Sequence, residues 1–382
     1  MNDIISLLKK NSKVGLFNLA DEFGPAKIVH VYEPSVDLRG VLVLDNVAAG
    51  PAIGGLRIAP DVNLIECFSM ARTMTLKNTM AELSHGGGNS VMIDNSKIST
   101  LEKEKKIRAF AYALRNEKDY IFAPGMGTNK ESMAWIYDEI GRAVGLPRKI
   151  GGIPLDETGA VGFGVCQAAE VAAEYCGFEL NGAKVVVQGF GSVGQNAVSY
   201  LEEKGAVIIA VSDSKGGVYK GDGLDIGMLV KSKDMGSSVF SSGLGRPIDS
   251  SRLLRTECDI FIPAARPYVI NENNVHLLKT KLIIQGANMP CTDMSEKTLH
   301  RQGILSVPDF IANAGGVISG AMEYEKKKEA DIMDTIKWRI RENTKLVLEQ
   351  AKSKHITPRE AGKSIAADKL KKYMSNKHWS II

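Results

Sequence analysis

A chain of 382 residues, 44% hydrophobic and 24% charged, has the composition of an ordinary soluble globular protein and the length for two domains, each with its own core. A formal charge of +4, without a basic cluster interleaved with aromatics, argues against a nucleic-acid partner, and no segment approaches the roughly 20 apolar residues of a membrane span. Cys67, Cys166, Cys176, Cys258 and Cys291 lack the spacing of a zinc site or a disulfide framework and fit a reducing cytoplasm, and the first residues contain no apolar stretch long enough for a secretion signal.

Up to about residue 25 the chain reads as a short leading helix and loop. Residues 27–32 (KIVHVY) and 41–44 (VLVL) read as strands, by alternation and β-branching. Residues 48–57 (AAGPAIGGLR) predict a glycine-rich loop able to bring backbone close to a ligand. From Leu64 onward, Leu64, Cys67, Phe68, Ala71 and Met74 recur on one helical face, and Lys77 continues it by a turn. A lysine on a buried stripe is costly unless its ammonium snorkels to water or meets an anion. His85-Gly86-Gly87-Gly88-Asn89 comes next, then a short strand at 91–93, a helix with Ile107, Phe110, Ala111 and Leu114 on one face, and a strand at 120–122. That strand runs into Ala123-Pro124-Gly125-Met126-Gly127-Thr128 and a helix from Asn129 to about Val144. The alternation makes residues 1–148 an α/β domain of their own, with the proline- and glycine-rich residues 145–154 as candidate hinge.

Residues 184–213 organise the second half. Val185-Val186-Val187 is a strand buried on both faces, and Gly189, Gly191 and Gly194 follow it at G-x-G-x-x-G spacing. A helix from Ser192 would hold a pyrophosphate at its N-terminus. The strand at 207–211 is closed by Asp213, 19 residues after Gly194, where a ribose-binding acid belongs. Further strands at 259–262, 282–284 and 304–307 complete a doubly wound sheet. The whole reads as an α/β protein of two domains flanking a cleft. Residues 149–324 are the second, a Rossmann-type dinucleotide-binding domain, and two amphipathic helices in 325–382, one with Met333, Ile336, Ile340 and Val347, are expected to pack back on the first.

Beyond these patterns, GPAIGGLR (50–57), MTLKN (74–78), Gly86-Gly87-Gly88, Ala123-Pro124 with Gly127-Thr128-Asn129, Met133-Ala134-Trp135, VQGFG (187–191), GANMP (286–290) and VPDFIANAGGV (307–317) together resemble the glutamate/leucine/phenylalanine/valine dehydrogenase family. The last two motifs look most like glutamate dehydrogenases. The resemblance runs in order from about Val31 to Tyr324. It implies an N-terminal domain for substrate binding and subunit contacts, a second domain for NAD or NADP, and reversible oxidative deamination of an L-amino acid to a 2-oxo acid. It also implies a homo-oligomer, often a hexamer.

Carried over residue by residue, the resemblance makes Lys77 the ligand of the substrate α-carboxylate, with Ile53, Gly54, Ala123, Asn313, Val317 and Gly320 around the substrate. The nucleotide would be held by Thr158, Gly189, Phe190, Gly191, Ser192, Val193, Gly194, Asp213, Ser214, Lys215, Ala264, Ala265, Gly286, Ala287, Asn288 and Asn313. The family's catalytic lysine falls on Asn89 and its catalytic aspartate on Gly125. Deamination needs a cationic acid at the carbonyl oxygen and a carboxylate to shuttle protons. Asn89 donates a hydrogen bond but no proton, and Gly125 does neither. Each positioned acid or base is worth roughly 10²- to 10⁴-fold. His85 is the candidate substitute, since histidine titrates near neutrality. Restoring Asn89→Lys with Gly125→Asp is expected to awaken an otherwise competent scaffold.

Glutamate-specific members hold the side-chain carboxylate with a lysine where this chain has Ile53 and a serine where it has Gly320. A desolvated carboxylate without partners costs several kcal/mol, so a smaller or apolar substrate is implied. Asp213 favours the 2′-hydroxyl of NAD, and Lys215 the phosphate of NADP. The reading chosen is an NAD(P)-dependent oxidoreductase with an altered or lost proton relay, because an intact cofactor site and cleft are most simply explained by redox use; the alternative is a non-catalytic nucleotide-binding homologue that assembles with an active relative.

Overall fold

The computed structural model describes residues 19–95 and 98–376, apart from the Asp156 side chain, so most of the expected leading helix lies outside the described residues. Two compact units emerge. The first comprises the chain up to Pro154, Gly320–Glu329 and the residues from Ala366; the second comprises Leu155–Ser319 and Ala330–Ile365.

In the first unit the strands are β1 (Lys27–Glu33), β2 (Leu38–Asn46), β3 (Ala52–Ala59), β4 (Gly87–Ile93) and β5 (Tyr120–Pro124), in the order β1-β2-β4-β3-β5. β1, β2 and β4 pair antiparallel, and β3 lies parallel between β4 and β5. Helices α1 (Leu64–Met80), α2 (Thr100–Ala113) and α3 (Lys130–Ile140) cover the sheet. Because strand side chains alternate, Leu42 and Leu44 of β2 join the core with Phe110 of α2 and Met133 and Ile136 of α3, while Val41 and Val43 meet Cys67, Phe68 and Ala71 of α1. The expected glycine-rich loop is a strand from Ala52 onward. Gly54 and Gly55 suppress the strand signal, yet a Cβ on Gly54 would lie 1.8 Å from Gly88 O, so the close approach of β3 and β4 demands glycine there. The helix expected to reach Val144 stops at Ile140, where Gly141 turns left-handed at φ 68°.

The second unit holds α4 (Leu155–Thr158), α5 (Ala160–Tyr175), β6 (Lys184–Gln188), α6 (Ser192–Glu203), β7 (Val207–Asp213), β8 (Gly216–Tyr219) and α7 (Ile226–Asp234). These are followed by β9 (Arg246–Ile248), α8 (Ser250–Leu254), β10 (Ile260–Pro263), β11 (Leu282–Ile284), α9 (Asp293–Arg301), β12 (Leu305–Val307) and α10 (Asp309–Ala312). Its seven-stranded sheet runs β12-β11-β10-β6-β7-β8-β9. It is parallel from β12 to β7, and β8 and β9 add an antiparallel edge that the sequence pattern does not reveal.

Three helices complete the chain: α11 (Gly315–Tyr324), α12 (Ile332–Lys354) and α13 (Pro358–Ser375). The tail does not pack on the first unit as a whole, as expected from residues 325–382. Residues 330–365 belong to the second unit, because α12 buries Ile336, Ile340 and Val347 and lies so close to α5 that a Cβ on Gly164 would sit 2.5 Å from Ile340 Cδ1. The start of α13 is fixed by Arg359, which is buried. Its guanidinium donates to Glu296 Oε2 at 2.7 Å, Gln285 Oε1 at 2.9 Å and Asp309 Oδ1 at 2.7 Å.

Candidate functional site

Within the first unit, the two positions implied to be catalytic lie on either side of β3. Asn89 is on β4 and only 3% exposed. The carboxamide orientation that satisfies both of its ends has Nδ2 donating to Gly55 O at 3.0 Å and Oδ1 accepting from Ser90 N at 3.3 Å. Its backbone carbonyl accepts from Cys67 Sγ at 3.1 Å. On the other side, the loop after β5 closes on Leu56. Gly125 N donates to Thr128 Oγ1 at 2.8 Å, and Thr128 Oγ1 lies 2.8 Å from Leu56 O. A Cβ on Gly125 would stand 2.7 Å from Leu56 O and 3.0 Å from Leu56 C. Any side chain at residue 125 would therefore require the loop or β3 to shift. Gly125→Asp, which together with Asn89→Lys is expected to restore a relay, would have to move this contact.

The neighbouring titratable groups are differently placed. Burial pushes the Cys67 thiol up to about 12 and raises the Tyr120 phenol, whose hydroxyl donates to Gly54 O at 2.9 Å. Both are further from neutrality than in water. His85 is 3% exposed, its Nδ1 lies 3.0 Å from Pro51 O, and its ring meets Tyr324 edge-on at 5.7 Å. A carbonyl only accepts, so Nδ1 carries the proton and Nε2 the lone pair in the neutral ring. Nε2 has no hydrogen-bond partner and stands 3.9 Å from Glu325 Oε1. Burial pulls this histidine below its ordinary value, against smaller opposing effects from Pro51 and Glu325. Asp94 is bound to Lys106 at 2.6 Å.

Lys77 is 4% exposed on α1, so it does not snorkel to solvent. Ile53 is 1% exposed on β3, and Ala123, half-buried on β5, pairs with Gly55. A Cβ on Gly320 would meet Val144 Cγ2 at 3.1 Å. Asn78, which the sequence singles out only as part of the MTLKN motif, holds the glycine triplet by donating to Gly86 O at 2.6 Å. The sequence did not point to Glu323, which accepts from Gly145 N at 2.7 Å and Leu146 N at 3.1 Å and so anchors the candidate hinge.

In the second unit, residues far apart in sequence gather at the carboxyl ends of β6, β10 and β11, where open α/β sheets bind ligands. Gly189, at φ 105°, leaves room for Ala264 and Ala265, since a Cβ there would lie 2.8 Å from their backbone. A Cβ on Gly194 would fall 1.9 Å from Gly189 O, so α6 packs directly on the turn. Gly191 has nothing within 4 Å of its Cβ position and precedes the first turn of α6, where Ser192 is exposed, Val193 half-buried and Gly194 buried. Phe190 turns inward at 1% exposure. A Cβ on Gly286 would meet Ala264 Cβ at 3.2 Å and Val193 Cγ1 at 3.5 Å. Ala287 N donates to Pro263 O at 2.9 Å, and Asn313 Nδ2 donates to Gly286 O at 3.2 Å and Asn288 Oδ1 at 3.0 Å. Val317 is half-buried on α11, and Thr158 closes α4 with its hydroxyl on Leu155 O at 3.3 Å. The open face at Gly191, before a twelve-residue helix, fits a dinucleotide pyrophosphate.

Asp213 ends β7 with Ser214 and Lys215 exposed beside it. Partial burial would raise its carboxyl, but the Lys233 ammonium, the N–H groups of Lys215 and Val239 and the Ser238 hydroxyl together hold it at about 2. Among the described residues no cluster of His, Cys, Asp and Glu could hold a metal ion, and no helix is long and apolar enough to cross a membrane.

Two family models cover nearly the whole chain: Glu/Leu/Phe/Val dehydrogenase, dimerisation domain, over residues 29–142, and Glutamate/Leucine/Phenylalanine/Valine dehydrogenase over residues 151–377. The NADP-specific glutamate dehydrogenase of Saccharolobus shibatae is 35% identical over 302 residues, 75% of this chain and 71% of that protein. The chain belongs to the glutamate/leucine/phenylalanine/valine dehydrogenase family. The catabolic NAD-specific glutamate dehydrogenase of Bacillus subtilis is also 35% identical, over 301 residues, 74% of this chain and 70% of that one, so relatives in this family use either nucleotide. The fold matches that of the hetero-hexameric glutamate dehydrogenase from Thermus thermophilus, Leu-bound form, at a TM-score of 0.86 and 24% identity, over 99% of this chain and 97% of that one. As in a dehydrogenase of this family, an α/β dimerisation domain precedes a domain built on a seven-stranded mixed sheet.

Proposed function

We propose that this chain binds a nicotinamide dinucleotide and a small or apolar amino or 2-oxo acid, does not carry out oxidative deamination unaided, and serves as a regulatory subunit assembled with an active relative. One observation carries the reading: Asn89 is spent on Gly55 and Ser90, and Gly125 is closed against Leu56. Neither side chain is an acid or a base, and a side chain at residue 125 would press on Leu56. The glycine turn and Asn313 with Asn288 support nucleotide binding. The buried ammonium of Lys77 supports carboxylate binding, and Ile53 with Gly320 supports an uncharged side chain, since neither pairs with a distal carboxylate. A bound nucleotide would supply hydride transfer, and the chain's own part is to orient it and exclude water.

The rival reading, an oxidoreductase with an altered relay, is favoured by the unpartnered Nε2 of His85. A dehydrogenase screen over twenty amino acids and their oxo acids with both cofactors separates the two. Binding without turnover supports the subunit reading. Turnover that disappears in His85→Gln supports the rival. Purification from the native cell tests the assembly, and the subunit reading fails if no relative accompanies the chain.

A further inference from the structure

At the end of β7, the acid that would ordinarily take the adenosine ribose is already fully occupied. Asp213 Oδ1 accepts from Lys215 N and Ser238 Oγ, both at 2.9 Å, and Oδ2 accepts from Lys233 Nζ at 2.8 Å and Val239 N at 2.9 Å. A carboxylate has about four lone-pair positions, and four donors fill them. A ribose diol would have to displace one of these bonds. The clasp is fixed from outside as well: Ser238 caps the following turn through Phe240 N at 3.1 Å, and the Phe240 ring lies over Gly216 so closely that a Cβ there would be 2.4 Å from it.

Charge changes along with geometry. The Asp213 carboxylate repels a phosphate when it stands alone, but here the Lys233 ammonium is bound directly to it and keeps 31% of its side chain exposed. Lys215 and Ser214 are exposed at the same strand end. One carboxylate against two ammonium groups leaves an excess of one positive charge, with the exposed Ser214 alongside. That combination suits a dianion rather than a neutral diol.

Building on the nucleotide-binding reading above, we propose that Lys233, by neutralising Asp213, makes the adenosine end of the site a 2′-phosphate site, so that the chain prefers NADP(H) to NAD(H). Preference is thus set by a lysine 20 residues beyond the acid, on the last turn of α7, and not by the acid itself.

The test is equilibrium titration of the full chain with NADPH and NADH, read by nicotinamide fluorescence, with 2′,5′-ADP and 5′-AMP as probes of the adenosine end alone. NADPH is expected to bind at least ten-fold tighter than NADH, and 2′,5′-ADP tighter than 5′-AMP. Lys233→Met should remove most of that preference, chiefly by weakening NADPH, and Lys233→Arg should keep it, with urea midpoints confirming that both variants fold. NADH binding as tightly as NADPH, or a Lys233→Met variant with the preference intact, overturns the proposal while leaving nucleotide binding standing. Failure of both dinucleotides to bind overturns the nucleotide-binding reading itself.

Discussion

Placing a side chain at residue 125 tests directly whether the loop after β5 is closed on β3. The Cβ position of Gly125 lies 2.7 Å from Leu56 O and 3.0 Å from Leu56 C, distances at which backbone must move. Leu56 cannot yield cheaply, because β3 is laddered to β4 through Ser90 and to β5 through Pro124. Forcing a group into a well-packed site costs about 1–3 kcal/mol, and the shift would also strain the bond from Gly125 N to Thr128 Oγ1. Gly125→Ala isolates the steric part, and Gly125→Asp adds a carboxylate beside a carbonyl oxygen. In urea unfolding, Gly125→Ala should lose about 1–3 kcal/mol and Gly125→Asp at least as much. The Asn89→Lys, Gly125→Asp double variant should remain silent in deamination. If Gly125→Ala matches the parent within about 0.5 kcal/mol, the loop is not closed on β3 and the reasoning fails.

Three further predictions test other parts of the account. Arg359→Met leaves Glu296 and Asp309 buried without their cation and should cost about 3–5 kcal/mol at pH 8. Burial already raises the Glu296 carboxyl, and losing Arg359 raises it further, so the folded state takes up this proton above the ordinary carboxylate value, before the unfolded chain does; the deficit should shrink as pH falls from 8 towards 5, and a pH-independent deficit would contradict this. His85 is held below its ordinary value, so the unfolded chain takes up its proton first and stability should fall as pH drops below about 6.5; His85→Met should flatten that part of the pH–stability curve, measured by thermal melts. Gly191→Ala should leave the urea midpoint almost unchanged, since its Cβ meets nothing, while weakening NADPH binding by ten-fold or more; Gly194→Ala should destabilise the fold.

Features contained in one short stretch of sequence were the legible ones. The turn from β6 to α6 is readable because strand, glycines, helix and acid follow one another within thirty residues. The buried face of α1 is readable from its period, up to and including Lys77. What escaped depends on partners brought in from elsewhere. β3 looked like a loop because its glycines answer to Gly88 on β4, not to local propensity. The closure of Gly125 on Leu56 and of Asn89 on Gly55 joins residues 34 to 69 positions apart, and only identity, not space, could be read from the sequence. The clasp of Lys233 and Ser238 on Asp213 reverses the meaning of a motif residue without leaving any periodicity to detect. In the tail, an amphipathic helix declares that it packs, not on what: residues 330–365 group with the second unit and those from Ala366 with the first, and Gly164 of α5 leaves room for Ile340.

The central claim is that nucleotide binding has been kept while the proton relay has been lost. The most direct measurement takes one purified sample of the full chain, determines dinucleotide binding by fluorescence titration, and follows nicotinamide absorbance with each of the twenty amino acids, and with each oxo acid plus ammonia. Saturable binding of NADPH with no turnover above the protein-free rate is the predicted result. Turnover that rises in proportion to the protein concentration, with any of these substrates, would contradict it.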